Sequence, residues 1–342
     1  MRVLVTGGAG FIGSNFIRLL LAEDPGVEIA NLDKLTYAGN LENLADVAAD
    51  PRYRFIRGDI CDRQAVARAI EGCQAVVNFA AETHVDRAIG DPASFLHTDI
   101  LGVYVLLEAA RQAGVKRFVQ VSTDEVYGPI AAGSAREDGP LNPTNPYAAS
   151  KAGGDRLANA YHATYGLPVV VTRCSNNYGP RQYPEKLVPL FITNAIDDEP
   201  LPVYGTGFNR RDWLHVDDHC AALVTLLAHA GIEGETFNIG AENELDVLTI
   251  TDIILRLLGK PGTLIRHVED RPGHDRRYAV DSSRLTRLTG WRPSISFEHG
   301  IRQTVEWYRT HEPWWRAIKE GEFRAYYERT YSRRKVLKEV RT

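Results

Sequence analysis

The stretch Val3-Leu4-Val5-Thr6-Gly7-Gly8-Ala9-Gly10-Phe11-Ile12-Gly13 joins a short apolar run to a glycine-rich turn and to the start of an apolar helical pattern. A strand, a glycine turn and a helix in this order are typical of a dinucleotide-binding fold. Gly7 permits the tight turn, Gly10 lets the backbone approach a pyrophosphate, and Gly13 allows the helix to pack closely on the strand. We therefore predict that the N-terminus of this helix binds phosphate groups.

A carboxylate follows the next apolar segment. Residues 28–32 lead into Asp33, about 20 residues beyond the last glycine, where an acidic side chain can accept hydrogen bonds from both ribose hydroxyls. Because Asp33 would repel a 2′-phosphate, the sequence predicts NAD rather than NADP as the cofactor. Lys34 carries a positive charge beside it and acts in the opposite direction.

Further apolar runs alternate with helical patterns, and these runs occupy residues 54–57, 75–79, 117–121 and 169–172. The alternation predicts an α/β protein with a Rossmann-type, doubly wound parallel sheet. Two long helices are expected in this part of the chain. One covers residues 95–113 and ends near Gly114, and the other contains residues 147–161.

Beyond Gly179-Pro180 the alternation loosens, and prolines punctuate shorter elements. We predict a smaller, discontinuous α/β substrate-binding domain there. The NAD-binding domain is expected to span residues 1–180, with residues 212–240 returning to it. Residues 181–211 and 241–342 are expected to form mainly the substrate-binding domain.

Composition bounds the possible partners. The chain has 342 residues and a formal net charge of -4, which leaves room for one large and one small domain but gives no basic field for nucleic acid. The basic run Arg333-Arg334-Lys335 is predicted to be a solvated terminus. No apolar run reaches transmembrane length and the chain enters a strand without a signal peptide, so we expect a cytoplasmic protein with no membrane partner.

The four cysteines, at positions 61, 73, 174 and 220, have neither metal-ligand spacing nor the spacing of a disulfide framework. Cysteines of this kind behave as small apolar side chains in a core. The sequence therefore predicts buried free thiols and no metal site.

Two groups of proton-transfer residues lie in the first half of the chain. Thr123-Asp124-Glu125 directly follows a predicted strand, and Tyr147 precedes Lys151 by one helical turn. A lysine at that distance can lower the pKa of the phenol, which then removes a hydroxyl proton while a hydride leaves the same carbon. An adjacent acid and carboxylate could expel a neighbouring hydroxyl as water. The combination predicts an oxidation coupled to an elimination on a polyhydroxylated substrate.

These motifs resemble those of the extended short-chain dehydrogenase/reductases and, within that group, those of the dTDP-glucose 4,6-dehydratases. The resemblance runs from Met1 to about Tyr331. The segments that carry it are 6–14, 32–40, 80–87, 122–128, 147–151, 175–180, 211–214 and 270–278. The glycine pattern and Tyr-x-x-x-Lys are shared by the whole superfamily. The Thr-Asp-Glu triplet separates the dehydratases from the related sugar epimerases, which have small or hydroxyl residues at the acidic positions.

The resemblance implies a role for each group. Tyr147, held as phenolate by Lys151 and the nicotinamide charge, removes the C4 hydroxyl proton while a hydride passes from C4 to NAD. Glu125 then takes the C5 proton, and Asp124, which must be protonated, donates to the C6 hydroxyl, which leaves as water. Thr123 hydrogen-bonds the C4 oxygen, and the return of the hydride to C6 gives a 4-keto-6-deoxy sugar. Mutual repulsion of two adjacent carboxyl groups raises the pKa of one of them, which suits this division of labour.

The resemblance also carries over the binding residues. Those expected around NAD are Gly7, Gly10, Phe11, Ile12, Gly13, Asp33, Lys34, Leu35, Thr36, Asp59, Ile60, Ala80, Ala81, Thr98, Tyr147, Lys151 and Asn177. Those expected around dTDP-glucose, the implied substrate, are Thr83, Thr123, Asn176, Lys186, Leu187, Pro202, Val203, Tyr204, Arg211, Asp270, Arg271, Pro272, Gly273 and His274. Arg276 and Arg277 are further candidates for contacts with the diphosphate.

One position departs from the family. Val247 stands where the family usually has an asparagine that contacts the nucleotide, so that hydrogen bond is missing or comes from elsewhere. The alternatives are a UDP-glucose 4,6-dehydratase, a nucleotide-sugar 4-epimerase or decarboxylase, and an NAD-binding protein without catalysis. The two long helices resemble a pair that forms a four-helix bundle in a homodimer, although their apolar stripes could equally pack against the sheet.

Overall fold

The structure is a computed structural model, and it describes residues 1–331 and 334–337. The strands are β1 (Arg2–Thr6), β2 (Glu28–Asp33), β3 (Tyr53–Arg57), β4 (Ala75–Asn78), β5 (Arg117–Thr123), β6 (Val169–Cys174), β7 (Asn176–Tyr178), β8 (Leu201–Tyr204), β9 (Arg210–His215), β10 (Thr236–Ile239), β11 (Glu244–Asp246) and β12 (Ile265–Val268). The helices are α1 (Phe11–Glu23), α2 (Arg63–Ile70), α3 (Val85–Gly90), α4 (Pro92–Leu96), α5 (Val103–Ala113), α6 (Pro146–Tyr165), α7 (Leu187–Ile196), α8 (Val216–Ala228), α9 (Val247–Leu258), α10 (Ser283–Thr289), α11 (Phe297–Thr310), α12 (Glu312–Glu320) and α13 (Glu322–Tyr331).

A large parallel sheet forms the centre of the protein. Its seven strands lie in the order β10-β6-β5-β4-β1-β2-β3, and every neighbouring pair is parallel. Side chains alternate between its faces: Val3 and Val5 pack into one core, whereas Leu4 packs into the other. Helices α1 and α8 cover the first face, and α2, α5 and α6 cover the second. The predicted doubly wound parallel sheet is confirmed.

The order of the strands reverses between β1 and β4. From β1 the chain proceeds outward to β2 and β3, whereas from β4 it proceeds in the other direction to β5 and β6. The connection after β1 passes over the first face of the sheet, and the connection after β4 passes over the second. A crevice therefore opens between them, beyond the carboxyl ends of the strands. The glycine turn that follows β1 therefore lies at the edge of this crevice.

A third core lies outside the large sheet. It joins α7, α9, α11, α12 and α13 to β8, and Trp315 and Tyr308 at its centre are completely buried. A two-stranded sheet, β12-β8, and a three-stranded sheet, β11-β9-β7, border it. Leu285 and Trp291, which follow residue 241 in the chain, pack instead into the first core of the large sheet. The division into two domains at the expected boundaries stays a prediction.

The long helix expected over residues 95–113 is interrupted. Helix α4 passes into a π-helical segment, His97–Gly102, before α5 begins, and Gly114 ends α5 in the left-handed region at φ 64°. Neighbouring backbones crowd this segment, because a Cβ on Gly154 would lie 2.5 Å from the Asp99 carbonyl oxygen. A π-bulge accommodates one extra residue and often marks a functional position.

By length and composition, the stretch Pro92–Ala113 is apolar enough to cross a membrane, and it is the one helix of that kind in the described part of the chain. The core helix of a globular protein meets the same criterion. Here α5 packs against α2 and α6 on the second face of the large sheet. Leu96 and Leu101, however, keep 51% and 41% of their surface exposed on its outer side.

Helix α6 is fixed at its start and along its length. Asn145 caps its N-terminus by accepting a hydrogen bond from the Ala148 amide at 2.9 Å, and Pro146 occupies the first helical position. Further along, Asp155 accepts two hydrogen bonds from Arg173 of β6, at 2.7 and 3.1 Å, in a fully buried pair. These contacts hold the side chains of α6 at a constant distance from the ends of β5 and β6.

Arg334, in the basic run near the C-terminus, is not solvated as we expected, whereas Lys335 is exposed. Arg334 bonds Asp86 at 2.9 Å, and its side chain is only 17% exposed. Residues 335–337 run antiparallel to β12, through bonds of the Glu269 amide to the Lys335 carbonyl and of the Leu337 amide to the His267 carbonyl. Arg333 lies outside the described residues. The prediction failed because a run of basic residues does not show, in the sequence, that a buried carboxylate from a distant segment pairs with one of them.

Candidate active site

A cavity of about 440 Å³ opens at the carboxyl ends of β1, β4, β5 and β6 and extends toward the third core. Most of the expected site residues line it, although they come from segments far apart in sequence. Those residues are Gly7, Gly10, Phe11, Ile12, Gly13, Asp33, Lys34, Thr36, Asp59, Ile60, Ala80, Ala81, Thr83, Thr98, Thr123, Asp124, Glu125, Tyr147, Lys151, Asn176, Asn177, Lys186, Leu187, Pro202, Tyr204, Arg211, Arg271 and His274.

The expected residues that do not line the cavity are Leu35, Val203, Asp270, Pro272 and Gly273. Val203 belongs to the third core and is completely buried. Asp270 accepts a hydrogen bond from Nδ1 of His274 at 2.6 Å, so it braces a residue that does line the cavity. A resemblance to a family assigns whole segments to the site. Neighbouring side chains in a segment point in different directions, however, so only some of them face the cavity.

The glycine turn leaves room for a ligand only because it lacks side chains. Gly7 has φ 70°, and a Cβ there would lie 2.6 Å from the Ala80 amide nitrogen of the segment that follows β4. A Cβ on Gly13 would overlap the Gly7 carbonyl oxygen. Gly10 precedes α1 without a capping side chain, so the first amides of the helix point into the cavity entrance. These amides and the helix dipole form an anion site that fits a pyrophosphate.

Asp33 and Lys34 end β2 at the same edge. The Asp33 carboxylate accepts hydrogen bonds from the amides of Ala9 at 2.9 Å and Leu35 at 2.8 Å, and only 8% of the residue is exposed. Lys34 forms a 2.7 Å ion pair with Asp59. Because Asp59 compensates the lysine charge, the carboxylate of Asp33 dominates the electrostatics at this end. The arrangement favours a free ribose 2′-hydroxyl over a 2′-phosphate.

The acidic pair lies where β5 turns away from the sheet. A short 3₁₀ helix, Asp124–Tyr127, begins directly after Thr123, whose hydroxyl accepts a hydrogen bond from the Glu125 amide at 3.3 Å. Gly128, at φ 74°, ends this turn. The tight turn directs two consecutive acidic side chains toward the cavity, which an extended strand could not do because its side chains alternate.

Asp124 is a buried acid. Burial and, to a smaller degree, the charge of Glu125 raise the pKa of its carboxyl to about 8, against the lowering effect of Arg211. Its Oδ1 accepts a hydrogen bond from the Thr123 hydroxyl at 3.2 Å, whereas its Oδ2 has no hydrogen-bond partner among the described residues. A protonated carboxyl is therefore the main form at neutral pH. Repulsion contributes as expected, but burial is the larger cause.

Tyr147 lies at the start of α6, partly buried, and lines the cavity with the acidic pair. Burial raises the pKa of its phenol well above the ordinary value, and the charges of Glu125 and Asp99 raise it further. The ammonium of Lys151 donates to the Val121 carbonyl at 2.8 Å. We expected Lys151 to lower the pKa of this phenol, but burial outweighs it. Deprotonation of Tyr147 therefore requires an additional positive charge beside the ring.

Basic side chains gather at the other end of the cavity. Lys186 donates to the Thr83 hydroxyl at 2.9 Å, and burial lowers the pKa of its ammonium. Arg211 stacks on the Tyr278 ring at 4.5 Å, and its guanidinium donates to the carbonyl oxygens of Arg210 and Asp275. Together with Arg271 they form a buried cluster of cations, for which a diphosphate is the matching anion.

Arg276 and Arg277 are not part of this cluster, because neither lines the cavity. The Arg277 guanidinium instead pairs with Glu244 of β11 and donates to two backbone carbonyls.

Several lining residues were not predicted from the sequence. Leu190 and Phe191 form an apolar wall with Trp213 and Val247. Helical spacing from Leu187 could have indicated the first two, since α7 presents positions three and four apart on one side. Tyr331 also lines the cavity, although it lies far in sequence from the other lining residues. Only the packing of α13 brings it there.

Comparisons with known proteins agree with this geometry. A family model described as GDP-mannose 4,6 dehydratase matches residues 4–304. A dTDP-glucose 4,6-dehydratase of Streptomyces niveus is 53% identical over 323 residues, which cover 93% of this chain and 96% of that relative.

Two solved structures are also similar. One is DesIV, a dTDP-glucose 4,6-dehydratase from Streptomyces venezuelae with NAD and TYD bound, with a TM-score of 0.91, 53% identity, and coverage of 93% of this chain and all of that one. The UDP-glucose 4-epimerase of Thermus thermophilus in complex with NAD has a TM-score of 0.84 and 34% identity, over 91% of this chain and all of that one.

The raised pKa of Asp124 predicts a dependence of stability on pH. The folded protein keeps a proton on this carboxyl that the unfolded chain releases, so the stability contributed by this group falls as the pH rises from 3.8 toward about 8. An Asp124→Asn variant cannot ionise there. The free energy of unfolding of the variant, minus that of the wild type, should therefore increase by on the order of 1 kcal/mol per pH unit across this window.

Urea unfolding at several pH values would measure this difference. Asp138→Asn, at a side chain that is 85% exposed, is the matched control and should follow the wild type. A constant difference between Asp124→Asn and the wild type across the window would contradict a protonated Asp124.

Proposed function

The chain belongs to the dTDP-glucose 4,6-dehydratase family, within the broader family described as GDP-mannose 4,6 dehydratase, and on this basis we propose that it is an NAD-dependent dTDP-glucose 4,6-dehydratase. It converts dTDP-glucose to dTDP-4-keto-6-deoxyglucose by oxidation at C4, elimination of water across C5 and C6, return of the hydride to C6 and reprotonation of C5. One observation carries the proposal: a buried, protonated Asp124 stands beside Glu125 and Tyr147 in a single cavity.

The residues at the glycine turn fit NAD. The cradle at Gly7 and Gly13 has no space for side chains, and the first turn of α1 offers unpaired amides to the pyrophosphate. Asp33 would accept hydrogen bonds from the ribose hydroxyls, and Lys151 would donate to the ribose of the nicotinamide half. When bound, NAD supplies the hydride acceptor at C4, the hydride donor at C6, and a positive ring charge next to Tyr147.

Tyr147 acts as the base of the oxidation step. The positive ring charge and Lys151 offset the burial that raises the pKa of the phenol, so the phenolate can take the C4 hydroxyl proton. Thr123, at the end of β5, holds the C4 oxygen in place. The ketone that results makes the neighbouring C5 proton acidic.

Glu125 and Asp124 perform the elimination. Glu125 removes the C5 proton, and its Oε2 accepts a long hydrogen bond from Asn145 at 3.4 Å, which orients it. Asp124 donates its proton to the C6 hydroxyl, so that the hydroxyl leaves as water. A raised pKa is required for this role, because an ionised carboxylate has no proton to give at neutral pH.

The cation cluster of Lys186, Arg211 and Arg271 binds the diphosphate of the substrate, and the apolar wall holds the nucleotide. We assign dTDP rather than UDP as the carrier, since the similar relatives are named for dTDP-glucose. Val247, as the first residue of α9, lies in the cavity wall and is 9% exposed. It contacts the nucleotide by packing, without a hydrogen bond from its side chain.

We assign the protein to the cytoplasm as a homodimer. The described part of the chain contains four free cysteines and no disulfide, as suits a reducing compartment. Ile89, Leu96 and Leu101, in α3, α4 and the π-helical segment, expose apolar surface. A second copy that packs its own helices there would bury this surface in a four-helix bundle.

Mass spectrometry of the product tests the proposed function. Purified protein without added cofactor is incubated separately with dTDP-glucose and UDP-glucose. We expect the loss of one water from dTDP-glucose, which establishes the reaction, the carrier and the retention of NAD together. Loss of water from UDP-glucose alone would assign UDP as the carrier. An altered stereochemistry at unchanged mass, also after NAD is added, would instead support a 4-epimerase.

Asp124→Asn should separate the two chemical steps. The variant keeps the base of the oxidation, so reduced cofactor should accumulate while the loss of water slows by about 10²–10⁴-fold. In the wild type, the loss of water should decline as the pH rises through about 8, where Asp124 loses its proton. Nicotinamide absorbance and product mass measure the two steps.

Tyr147→Phe should abolish both steps, whereas Tyr165→Phe, at an exposed end of the same helix, should abolish neither. If reduction of the cofactor fell as far as dehydration in Asp124→Asn, the assigned role of that residue would be wrong.

The exposed apolar residue Leu101 of the π-helical segment provides a test of the homodimer. Leu101→Glu should convert a dimer into a monomer, because two carboxylates would otherwise be buried at the symmetric contact. Light scattering after gel filtration measures the mass. Leu288→Glu, at a leucine of α10 that is 47% exposed, is the matched control and should leave the dimer intact. A wild-type protein of monomer mass would disprove the homodimer.

A further inference from the structure

Asp86 is a buried carboxylate outside the expected binding set. It lies in the first turn of α3, and only 7% of its side chain is exposed. Its Oδ2 accepts a hydrogen bond from Arg271 at 3.2 Å, and its Oδ1 accepts one from Arg334 at 2.9 Å. The hydroxyl of Tyr204 lies 3.5 Å from the same Oδ1. Three segments that follow residue 200 therefore converge on one acid of the first half of the chain.

Arg271 lines the cavity and depends on this acid. Burial lowers the pKa of its guanidinium, but the charges of Asp86 and Glu125 outweigh this effect and keep it protonated. Asp86 holds one terminal nitrogen, while the Nε is buried and has no hydrogen-bond partner among the described residues. Because Arg271 lines the cavity with a side chain that is 16% exposed, its guanidinium can meet an anionic ligand there, and Asp86 fixes the orientation of that guanidinium.

Arg334 brings the end of the described chain over the same part of the cavity. Its guanidinium lies 4.4 Å from the Tyr204 ring, and Tyr331, which lines the cavity, packs on Tyr204 with ring centroids 6.0 Å apart. Residues 335–337 continue along β12. The ion pair with Asp86 thus fastens this segment beside Tyr204, which lines the cavity.

The residue next to Asp86 fastens α13 in a similar way. The Arg87 guanidinium lies between the rings of Tyr37 at 3.5 Å and Tyr326 at 4.1 Å, and it donates to Glu185 at 2.8 Å. Tyr326 also contacts Nδ1 of His84 at 3.1 Å. The segment from His84 to Arg87 therefore contacts both α13 and the residues that follow α13.

We propose that Asp86 is a positioning residue for the nucleoside diphosphate of the substrate. It aims Arg271 at the diphosphate and, through Arg334, holds Tyr331 over the nucleotide end of the cavity. Asp86 also lines the cavity, but its two carboxylate oxygens accept hydrogen bonds from Arg271 and Arg334, so it acts through these arginines. This role rests on the proposed function, since it presupposes that a nucleoside diphosphate binds there.

A positioning role and a simple charge effect have opposite signs. If Asp86 only reduced the positive charge of the cavity, its replacement by asparagine would strengthen the attraction for a diphosphate. If Asp86 positions the two arginines, the same replacement releases them and weakens binding despite the gain in positive charge. The direction of the change in affinity therefore separates the two.

Calorimetric titration of dTDP into the NAD-loaded full chain is the experiment. We expect Asp86→Asn to raise the dissociation constant about tenfold, and Arg334→Gln to raise it about threefold, since each removes a hydrogen bond to a charged group. The double variant should bind like Asp86→Asn alone, because Arg334 acts through Asp86. The NAD content should stay close to wild type, whereas the removal of one partner from a buried ion pair should lower the Tm, so the titrations are run well below the Tm of each variant.

Glu233→Gln and Arg316→Gln are the matched controls, because they break the ion pairs of Arg117 with Glu233 and of Arg316 with Glu312, whose residues do not line the cavity. Both should bind dTDP like the wild type. Unchanged or tighter binding by Asp86→Asn would overturn the proposal, as would a parallel loss of NAD and dTDP. Additive losses in the double variant would overturn the part of it that routes Arg334 through Asp86.

Should Asp86→Asn not fold, Arg334→Gln is the deciding variant. If Arg334→Gln binds dTDP with wild-type affinity, the proposed role of the Asp86–Arg334 ion pair is wrong. A wild-type protein that binds neither dTDP nor UDP would instead refute the proposed function, and the role of Asp86 would fall with it.

Discussion

The approach of two backbones at the glycine turn is the constraint on which the site depends. At Gly7, β1 ends so close to the segment after β4 that no side chain fits between them, and at Gly13 the first turn of α1 touches the same turn. This contact fixes the start of α1 relative to the point where the order of the strands reverses. The crevice beyond the strands then has one wall of unpaired amides and another formed by the ends of β5 and β6. The other side chains that line the cavity are positioned relative to these two walls.

Burial then differentiates groups that are chemically alike. Asp124 and Glu125 are neighbours in sequence, yet the carboxyl of Asp124 lies in the interior while Glu125 meets polar side chains and the cavity. The result is an acid and a carboxylate within one turn of chain. Burial also raises the pKa of the Tyr147 phenol, so a positive charge beside it would favour its deprotonation. In the proposed mechanism, the bound cofactor supplies that charge.

The sequence predicted features that are local or that repeat. Strand and helix periods placed β1 to β6 and α6 within a few residues, and the spacing from the glycines to Asp33 indicated the cofactor. It could not predict that α4 passes into α5 through a π-helical segment, because this segment lies against Gly154 of α6, a contact between residues distant in sequence. Nor could it predict that Asp86 meets Arg271 and Arg334, which lie 185 and 248 residues away. Val203 illustrates the opposite error, since a motif carried it into the site although its side chain packs in the third core.

The position of Tyr331 has a consequence for the order in which a newly made chain acquires its site. Every other described residue that lines the cavity leaves the ribosome before Tyr331 does. Strands β1 to β6 can pair while translation continues, since N-terminal units generally fold first. The nucleotide end of the cavity, however, is completed only after α13 has emerged and docked. A nascent chain that already contains the glycine turn, the acidic pair and Tyr147 is therefore still open to solvent at that end, and tight capture of substrate is postponed until synthesis of this region is complete.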